Sequence, residues 1–173
     1  MITTYSGTAL AGRRREGDAH AAAADPRAAA ALQAVLVDLL ELQTQAKQAH
    51  WNVVGAAFHG LHLQLDEIAA TARAQADTFA ERLRALGASP DGTSDTVAAT
   101  TTLPALPTGV LADTAAARGI TGRLHTAADT LRSALADLEG RDAASADLVT
   151  TAVEALEKHA WMLRANTPVT GRP

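Results

Sequence analysis

Apolar residues recur along most of the chain at the three- and four-residue spacing of an amphipathic helix. Asp25-Pro26 supplies an N-cap followed by proline in the first turn, so the first helix is expected to begin there. It is expected to end near Val53-Val54-Gly55, and a second helix follows at once and ends near Gly87. The recurring positions are Leu32, Leu36, Leu39, Gln43, Ala46 and His50, and then Phe58, Leu61, Leu65, Ile68, Ala72, Phe79, Leu83 and Leu86.

Residues 88–108 break this pattern with three prolines and a threonine-rich stretch. A connection of about twenty residues is too long for an ordinary helix–helix turn, so we expect a crossover along a bundle, with a short helix near Asp95–Thr100. A third helix follows up to Leu138, interrupted early by Gly119 and Gly122, and a turn at 140–142 leads to the last helix. Two hairpins joined by one long crossover predict an all-α, ferritin-like four-helix bundle.

The predicted bundle spans residues 25–166. Residues 1–24 lack periodicity and contain three glycines and the run Arg13-Arg14-Arg15, so we interpret them as an N-terminal tail. Residues 167–173 are interpreted as a C-terminal tail. The length of 173 residues agrees with one domain.

Composition narrows the class of protein. Apolar residues reach 47% but aromatics only 3%, which favours close-packed helices over a sheet. The absence of cysteine excludes disulfides, a thiol nucleophile and thiolate metal sites. A net charge of −4 is not that of a polycation built for nucleic acid. No apolar run of membrane-spanning length and no secretory signal are visible, so we expect a cytoplasmic protein without a membrane partner.

Two histidines flank the predicted turn between the first two helices. If the chain turns near Gly55–Ala56, His50 and His62 lie equally far from the turn, and antiparallel packing brings them to the same level. Asp66 follows His62 by four residues, so these two side chains share one helical face. The sequence therefore predicts a histidine–carboxylate cluster at this end of the hairpin.

A second pair, Asp77 and Glu81, repeats the four-residue spacing further along the same helix. Eleven residues at ~1.5 Å rise separate Asp66 from Asp77 by roughly 16 Å, so no metal ion bonded at about 2 Å can touch both pairs within one chain. Two copies of the helix, packed antiparallel about a two-fold axis near Thr71–Ala72, would bring each His62/Asp66 pair against the other copy's acidic pair. The spacing thus predicts an isologous dimer with two equivalent shared sites.

Imidazoles and carboxylates without thiolates suit iron, manganese or zinc. Iron with oxygen chemistry is the choice that best fits a helical bundle. A different interpretation stays open, in which the histidines are hydrogen-bonded residues of a helix–helix contact. Asp77 and Glu81 would then form a solvated face beside Arg73, Arg82 and Arg84.

A longer set of residues around these positions matches a known family. The matching segments are Lys47-Gln48-Ala49-His50-Trp51-Asn52-Val53-Val54-Gly55, Phe58, Leu61-His62, Asp66-Glu67, Asp77-Thr78-Phe79-Ala80-Glu81-Arg82, Leu86-Gly87 and Lys158-His159-Ala160-Trp161-Met162-Leu163-Arg164-Ala165. Over roughly residues 26–166 the chain resembles the Dps family, the DNA-binding proteins from starved cells or mini-ferritins. The resemblance implies a homododecameric shell around an iron-storage cavity.

The resemblance also implies a di-iron ferroxidase centre at the dimer interface. Its ligands would be His50, His62 and Asp66 from one subunit, and Asp77 and Glu81 from the other. Lys47 and Trp51 would lie beside it. Such proteins oxidise Fe(II), preferably with hydrogen peroxide and otherwise with oxygen, and keep Fe(III) as a mineral, which protects against oxidative damage. No Glu-x-x-His motif occurs in the chain, so a di-iron site inside one bundle is not expected.

Other polar residues allow weaker predictions. Asp142 and Asp147, with Ser145 between them as a candidate N-cap, occupy the turn that lines the iron-admitting pores in this family. They are equally well explained as acids at the start of a helix. His59 is expected to be solvated, and His159 and Trp161 are expected to pack the last helix.

DNA binding in this family usually rests on basic tails. Arg13, Arg14 and Arg15 are the candidate contacts, although acidic neighbours bring the charge of the first 25 residues to zero. Twelve tails on one shell would gain from avidity, which would make the protein nucleoid-associated. Two competing functions therefore stay open: a DNA-compacting protein with a minor or vestigial metal site, and a purely structural helical oligomer.

Overall fold

The computed structural model describes residues 25–165. The interpretation of residues 1–24 and 167–173 as tails, and Arg13, Arg14 and Arg15 with it, lies outside the described residues. The elements in chain order are α1 (Pro26–Asn52), β1 (Val53–Val54), α2 (Phe58–Ala85), α3 (Ser94–Thr100), β2 (Leu111–Ala112), α4 (Asp113–Leu138) and α5 (Ala143–Ala165). The described chain is therefore all-helical apart from one minimal strand pair, and the short crossover helix lies where the sequence predicts it.

The ends of the first hairpin follow the expected local rules. The Asp25 carboxylate accepts a hydrogen bond from the backbone N–H of Arg27 at 2.9 Å, and Pro26 opens α1. The second helix, α2, ends two residues before Gly87, whose φ of 86° lies in the left-handed region that favours glycine. Both predicted boundaries are confirmed.

One prediction about the third long helix is wrong. Gly119 and Gly122 do not interrupt it, because α4 runs without a break from Asp113 to Leu138. Each glycine costs about 1 kcal/mol in a helix interior. Burial of neighbours such as Ile120 and Leu124, which are fully enclosed in the core, offsets that cost.

The core lies between α1, α2, α4 and α5. Its large side chains are mostly leucines, including Leu39, Leu65, Leu131 and Leu156, with Phe79 as the one aromatic ring of the apolar core within residues 25–165. Many buried alanines between them allow the helix axes to approach closely. Hydrogen bonds and ion pairs between helices join residues in opposite chain order, so α1 runs antiparallel to both α2 and α4, and α5 runs antiparallel to both α2 and α4.

A buried carboxylate ties the long crossover to the bundle. Asp38 on α1 is 1% exposed. It accepts hydrogen bonds from the hydroxyls of Thr101, Thr102 and Thr130 and from the backbone N–H of Thr102, at 2.6–2.8 Å. A carboxylate shielded from water needs hydrogen-bond donors from the protein, and here the crossover and α4 supply them. The network therefore fixes the crossover against α1 and α4.

A buried guanidinium fastens the next part of the crossover. Arg123 on α4 donates to the side-chain oxygen of Gln45 and to the carbonyls of Ala105 and Gly119. Gln45 in turn donates to the Pro104 carbonyl at 3.1 Å. These bonds hold the proline-containing crossover in a fixed position along the bundle.

The strand pair was not predicted. Strands β1 and β2 are parallel, with Val53 opposite Leu111 and Val54 opposite Ala112. They join the end of α1 to the start of α4 at the same end of the bundle as His50. No helix within residues 25–165 has the length and apolarity needed to cross a membrane.

Candidate metal centre

The two predicted histidines lie side by side at the end of the α1–α2 hairpin. The imidazole rings of His50 and His62 are stacked, with centroids 3.7 Å apart and planes 20° from parallel. His50 Nδ1 lies 2.8 Å from the His62 carbonyl oxygen, and His62 Nδ1 lies 2.9 Å from the His50 carbonyl oxygen. The prediction that antiparallel packing brings them to one level is confirmed.

These contacts determine which ring nitrogen can bind a ligand. A carbonyl oxygen only accepts hydrogen bonds, so the Nδ1 of each neutral ring must be the donor. The lone pair of each neutral imidazole is then on Nε2. A backbone carbonyl in this position orients a metal-ligating histidine and makes its other nitrogen more basic. In His50 and His62, Nε2 is therefore the nitrogen with a lone pair available to a ligand.

Asp66 lies one turn beyond His62 and is paired with a lysine. Its Oδ1 is 2.6 Å from Nζ of Lys47, which sits one turn before His50 on α1. The ion pair with Lys47 lowers the pKa of Asp66 below its ordinary value, with weaker help from both histidines. The carboxyl group is thus ionised at neutral pH, as a metal ligand must be.

Trp51 is the aromatic neighbour of this cluster. Its ring centroid lies 5.8 Å from the Lys47 ammonium, and the side chain is 67% exposed. Trp51 therefore lies beside the Lys47–Asp66 pair without being packed into the core.

The second acidic pair lies elsewhere on the same helix. Asp77 and Glu81 are exposed on α2, and neither forms a hydrogen bond or ion pair with a residue between 25 and 165. Since α2 is unbroken from Phe58 to Ala85, the rise of roughly 16 Å between Asp66 and Asp77 applies. Within the described residues no three histidine or acidic side chains converge closely enough to hold a metal ion.

Two cavities lie between α1 and α2. One of about 270 Å³ is lined by Asp66 and Lys47, and one of about 570 Å³ is lined by Asp77 and by Pro90 and Gly92 of the crossover. Arg73 lines both cavities. One chain therefore presents Asp66, beside the histidine pair, at one opening and Asp77 at the other.

The predicted pore residues differ in what they contact. Both oxygens of Asp142 accept from Arg82 Nη2, at 2.7 and 2.8 Å, and the Ser145 hydroxyl donates to the same carboxylate. Ser145 is fully buried and is not the N-cap of α5. Asp142 takes that position and also accepts from the Ser145 backbone N–H at 3.4 Å. Asp147 is exposed, so an entrance role, which stays a prediction, would depend on Asp147 more than on Asp142.

The remaining candidates are placed as follows. His59 is exposed, as expected. His159 is half-buried, with Nε2 3.0 Å from the Thr71 hydroxyl, and burial lowers its pKa. Trp161 was expected to pack the last helix, but it is 61% exposed, because its position on α5 points away from the core.

The chain is similar to known proteins along most of its length. Residues 29–167 match the ferritin-like domain family. The DNA protection during starvation protein of Agrobacterium fabrum is 33% identical over 132 residues, which cover 76% of this chain and 82% of that protein. DNA protection during starvation protein 2 of Deinococcus radiodurans is 37% identical over 141 residues, covering 80% of this chain, although the chain spans only 58% of that protein's length.

Solved structures give the same match in three dimensions. Dps92 from Deinococcus radiodurans superposes with a TM-score of 0.78 at 36% identity, covering 82% of this chain and 88% of that chain. Dps from Microbacterium arborescens in the high iron form superposes with a TM-score of 0.77 at 35% identity, covering 83% and 96%.

Proposed function

The chain belongs to the Dps family of ferritin-like proteins, and we propose that it oxidises Fe(II) at sites shared between two copies of itself. The Fe(III) product would be stored as a mineral inside a hollow homododecameric shell. The protein would thereby remove two reactants, Fe(II) and hydrogen peroxide, that together damage the cell.

One observation carries this proposal most directly. His50 and His62 are fixed with Nε2 as the free lone pair, next to an ionised Asp66, and the unbroken helix α2 carries Asp77 and Glu81 roughly 16 Å further along. Antiparallel pairing of two α2 helices about Thr71–Ala72 would bring each half-site against its complement.

The donor set fits iron. Imidazole nitrogen and carboxylate oxygen are ligands that Fe(II) and Fe(III) accept, whereas no thiolate is available in this chain. In the completed site His50, His62 and Asp66 would come from one copy, and Asp77 and Glu81 from the other. Iron is here the substrate and the cargo, so the ligands must hold it long enough for oxidation and then release it.

The chemistry that best suits two neighbouring Fe(II) ions is a two-electron reaction. Each Fe(II) gives one electron to the same hydrogen peroxide molecule, the O–O bond breaks, and two protons complete two water molecules. Because both electrons arrive together, no hydroxyl radical leaves the site. Oxygen is the second oxidant that such a site would use.

The contacts of Lys47 suggest how the site changes on loading. Its ammonium neutralises Asp66 at 2.6 Å. Fe(II) would have to displace the ammonium from that carboxylate in order to bind it. Lys47 would therefore keep Asp66 ionised but compete with the metal ion for it.

The test is Fe(II) oxidation followed optically under anaerobic conditions with added peroxide. The His50→Ala/Asp66→Ala variant is compared with wild type and with His59→Ala, whose exposed histidine lies outside the cluster. We expect fast oxidation in wild type and His59→Ala, and its loss in the double variant with shell size unchanged by light scattering. Equal slow rates in all three would contradict the ferroxidase proposal.

DNA binding is the second candidate function, because the curated relatives are named for DNA protection. The net charge of −4 disfavours the shell as a whole as the contact. Arg13, Arg14 and Arg15 would then supply it from twelve tails. Retention of DNA by wild type that falls steeply with salt, and is lost when the three arginines are replaced by glutamine, would support this function.

A further inference from the structure

The cavity near Asp66 has a lining that the ferroxidase proposal does not use. Its volume is about 270 Å³, which is enough for a small ion with several water molecules. It is lined by one amide, one carboxylate, two cationic side chains and two small apolar residues: Gln43, Asp66, Lys47, Arg73, Ala69 and Ala70. The alanines keep the space open between the charged groups.

Arg73 is the unexplained member of this lining. It is exposed in the single chain and donates no hydrogen bond to any residue between 25 and 165. It also lines the neighbouring 570 Å³ cavity together with Asp77, which follows it by one helical turn. Arg73 therefore lies between the cavity that contains Asp66 and the cavity that contains Asp77.

The charge of the cavity depends on the state of Asp66. Lys47 is neutralised by Asp66 at 2.6 Å, and the carboxylate repels anions. When both shared sites are loaded, Asp66 binds Fe(II) at one site and Asp77 binds it at the other, so the carboxylates nearest to both cations are engaged. Lys47, Arg73 and the amide of Gln43 then face one small space without an acidic counterpart.

We propose that this cavity binds a small tetrahedral oxyanion of the phosphate class once the shared metal site is loaded. The site rests on the proposed function, because the loaded metal is what removes the negative charge of Asp66 from the cavity. Arg73 supplies a guanidinium that can bind two oxygens at once, Lys47 supplies a point charge, and Gln43 supplies an amide N–H. Phosphate bound there would lie beside Fe(III) as it forms at the shared site.

The symmetry of the proposed dimer strengthens this site. A two-fold axis near Thr71–Ala72 sets the two Arg73 α-carbons only about 4.5 Å apart along the helix axes. Two guanidinium groups near one axis repel each other unless an anion or a carboxylate lies between them. Loading the metal sites withdraws the carboxylates, so a bound oxyanion restores the balance.

The experiment uses the assembled protein with Co(II), a redox-inert stand-in for Fe(II), and radiolabelled inorganic phosphate in equilibrium dialysis. Co(II) binding is followed separately by its absorption spectrum. Arg73→Gln removes the guanidinium, and Arg84→Gln is the matched control, since Arg84 lies on the same helix but donates to Ala88 and Ser89. We expect phosphate to bind about tenfold or more tightly after Co(II) loading, and Arg73→Gln alone to abolish that gain.

The outcomes separate the two proposals. In one outcome, all three proteins give the same Co(II) spectrum, and phosphate binds Arg73→Gln as tightly as it binds wild type. This result would overturn the oxyanion site but would not contradict the metal site. Phosphate binding that is the same with and without Co(II) would also overturn it. Failure of Co(II) to bind wild type would contradict the shared metal site, and the oxyanion site would fall with it.

Discussion

His50 and His62 bond to each other's backbone through Nδ1, at 2.8 and 2.9 Å, with their rings stacked 3.7 Å apart. The two residues lie on different helices, so each ring is oriented by the helix that it does not belong to. Rotation of either imidazole would break a hydrogen bond and the stack together. The orientation of both rings is therefore fixed by contacts within one chain.

Replacing Lys47 should alter metal affinity at this pair. Lys47→Met removes the ammonium that competes for Asp66, so we expect Co(II) to bind more tightly, by less than about tenfold because the ion pair is partly exposed. Calorimetric titration measures the change. Lys158→Met, an exposed lysine on α5, is the control. Unchanged or weaker binding in Lys47→Met would show that the lysine does not compete with the metal.

Gly55 is required by the turn that follows α1. Its φ is 140°, and a Cβ there would collide with the carboxylate of Asp113, which accepts the Ala57 N–H at 3.0 Å. Gly55→Ala should destabilise the fold by about 1–3 kcal/mol. Gly60→Ala is the matched control, because it lies in α2 with nothing within 4 Å of a new Cβ, and should be neutral or slightly stabilising. Thermal midpoints at equal protein concentration test both, and equal midpoints would contradict the strain.

Asp38 should be sensitive to loss of one acceptor oxygen. Asp38→Asn replaces an oxygen that accepts threonine hydroxyls by an NH2 donor in a site that is 1% exposed. We expect a loss of about 1–3 kcal/mol and faster hydrogen exchange at Thr102, whose N–H bonds to the carboxylate. Asp129→Asn, at an exposed position on α4, should change neither. Undiminished protection of Thr102 would mean that other contacts hold the crossover.

The Arg82–Asp142 pair should give a pH-dependent contribution to stability. Burial raises the pKa of Asp142, but hydrogen bonds from Arg82 and Ser145 outweigh it, so the net pKa lies below the ordinary value of 3.8. A lowered folded-state pKa means that the stabilisation is complete above the unfolded-state pKa and is lost as the pH falls through the folded-state value.

Arg82→Gln should therefore destabilise the protein by about 1–3 kcal/mol at neutral pH, with the difference from wild type narrowing below about pH 4. Thermal midpoints measured from pH 7 to pH 3 test this. Arg132→Gln removes an exposed arginine that pairs with Asp129 and Glu157, and should show little effect at any pH. A constant difference across the range would assign the role of Arg82 to packing.

The sequence predicts those parts of the fold that follow local rules. Apolar periodicity and the Asp25–Pro26 cap are enough to predict the long helices. The equal distance of His50 and His62 from the turn is enough to predict that they lie at the same level of the hairpin. The strand pair of Val53 with Leu111 was not predictable in this way, because it joins residues far apart in sequence over only two positions on each strand. Its only local signal is Gly55, which marks a turn but not its contact with Asp113.

The buried polar residues that hold the crossover were harder to predict from the sequence than the apolar core positions. Asp38 and Arg123 appear in the sequence as ordinary charged residues of amphipathic helices, and only the packed structure brings the threonines and carbonyls of the crossover to them. The exposure of Trp161 and the uninterrupted course of α4 through Gly119 show the same limit, since packing rather than propensity decides both.

Mixed assembly of two inactive variants tests the shared site most directly. One variant replaces His62 and Asp66 by alanine, and the other replaces Asp77 and Glu81 by alanine. In a mixed dimer one site loses all four side chains and the other keeps its full set. We expect neither variant alone to oxidise Fe(II) with peroxide quickly, and shells reassembled from equal amounts to regain a substantial fraction of wild-type activity. Mixed shells that form but stay inactive would contradict a site built from two copies of the chain.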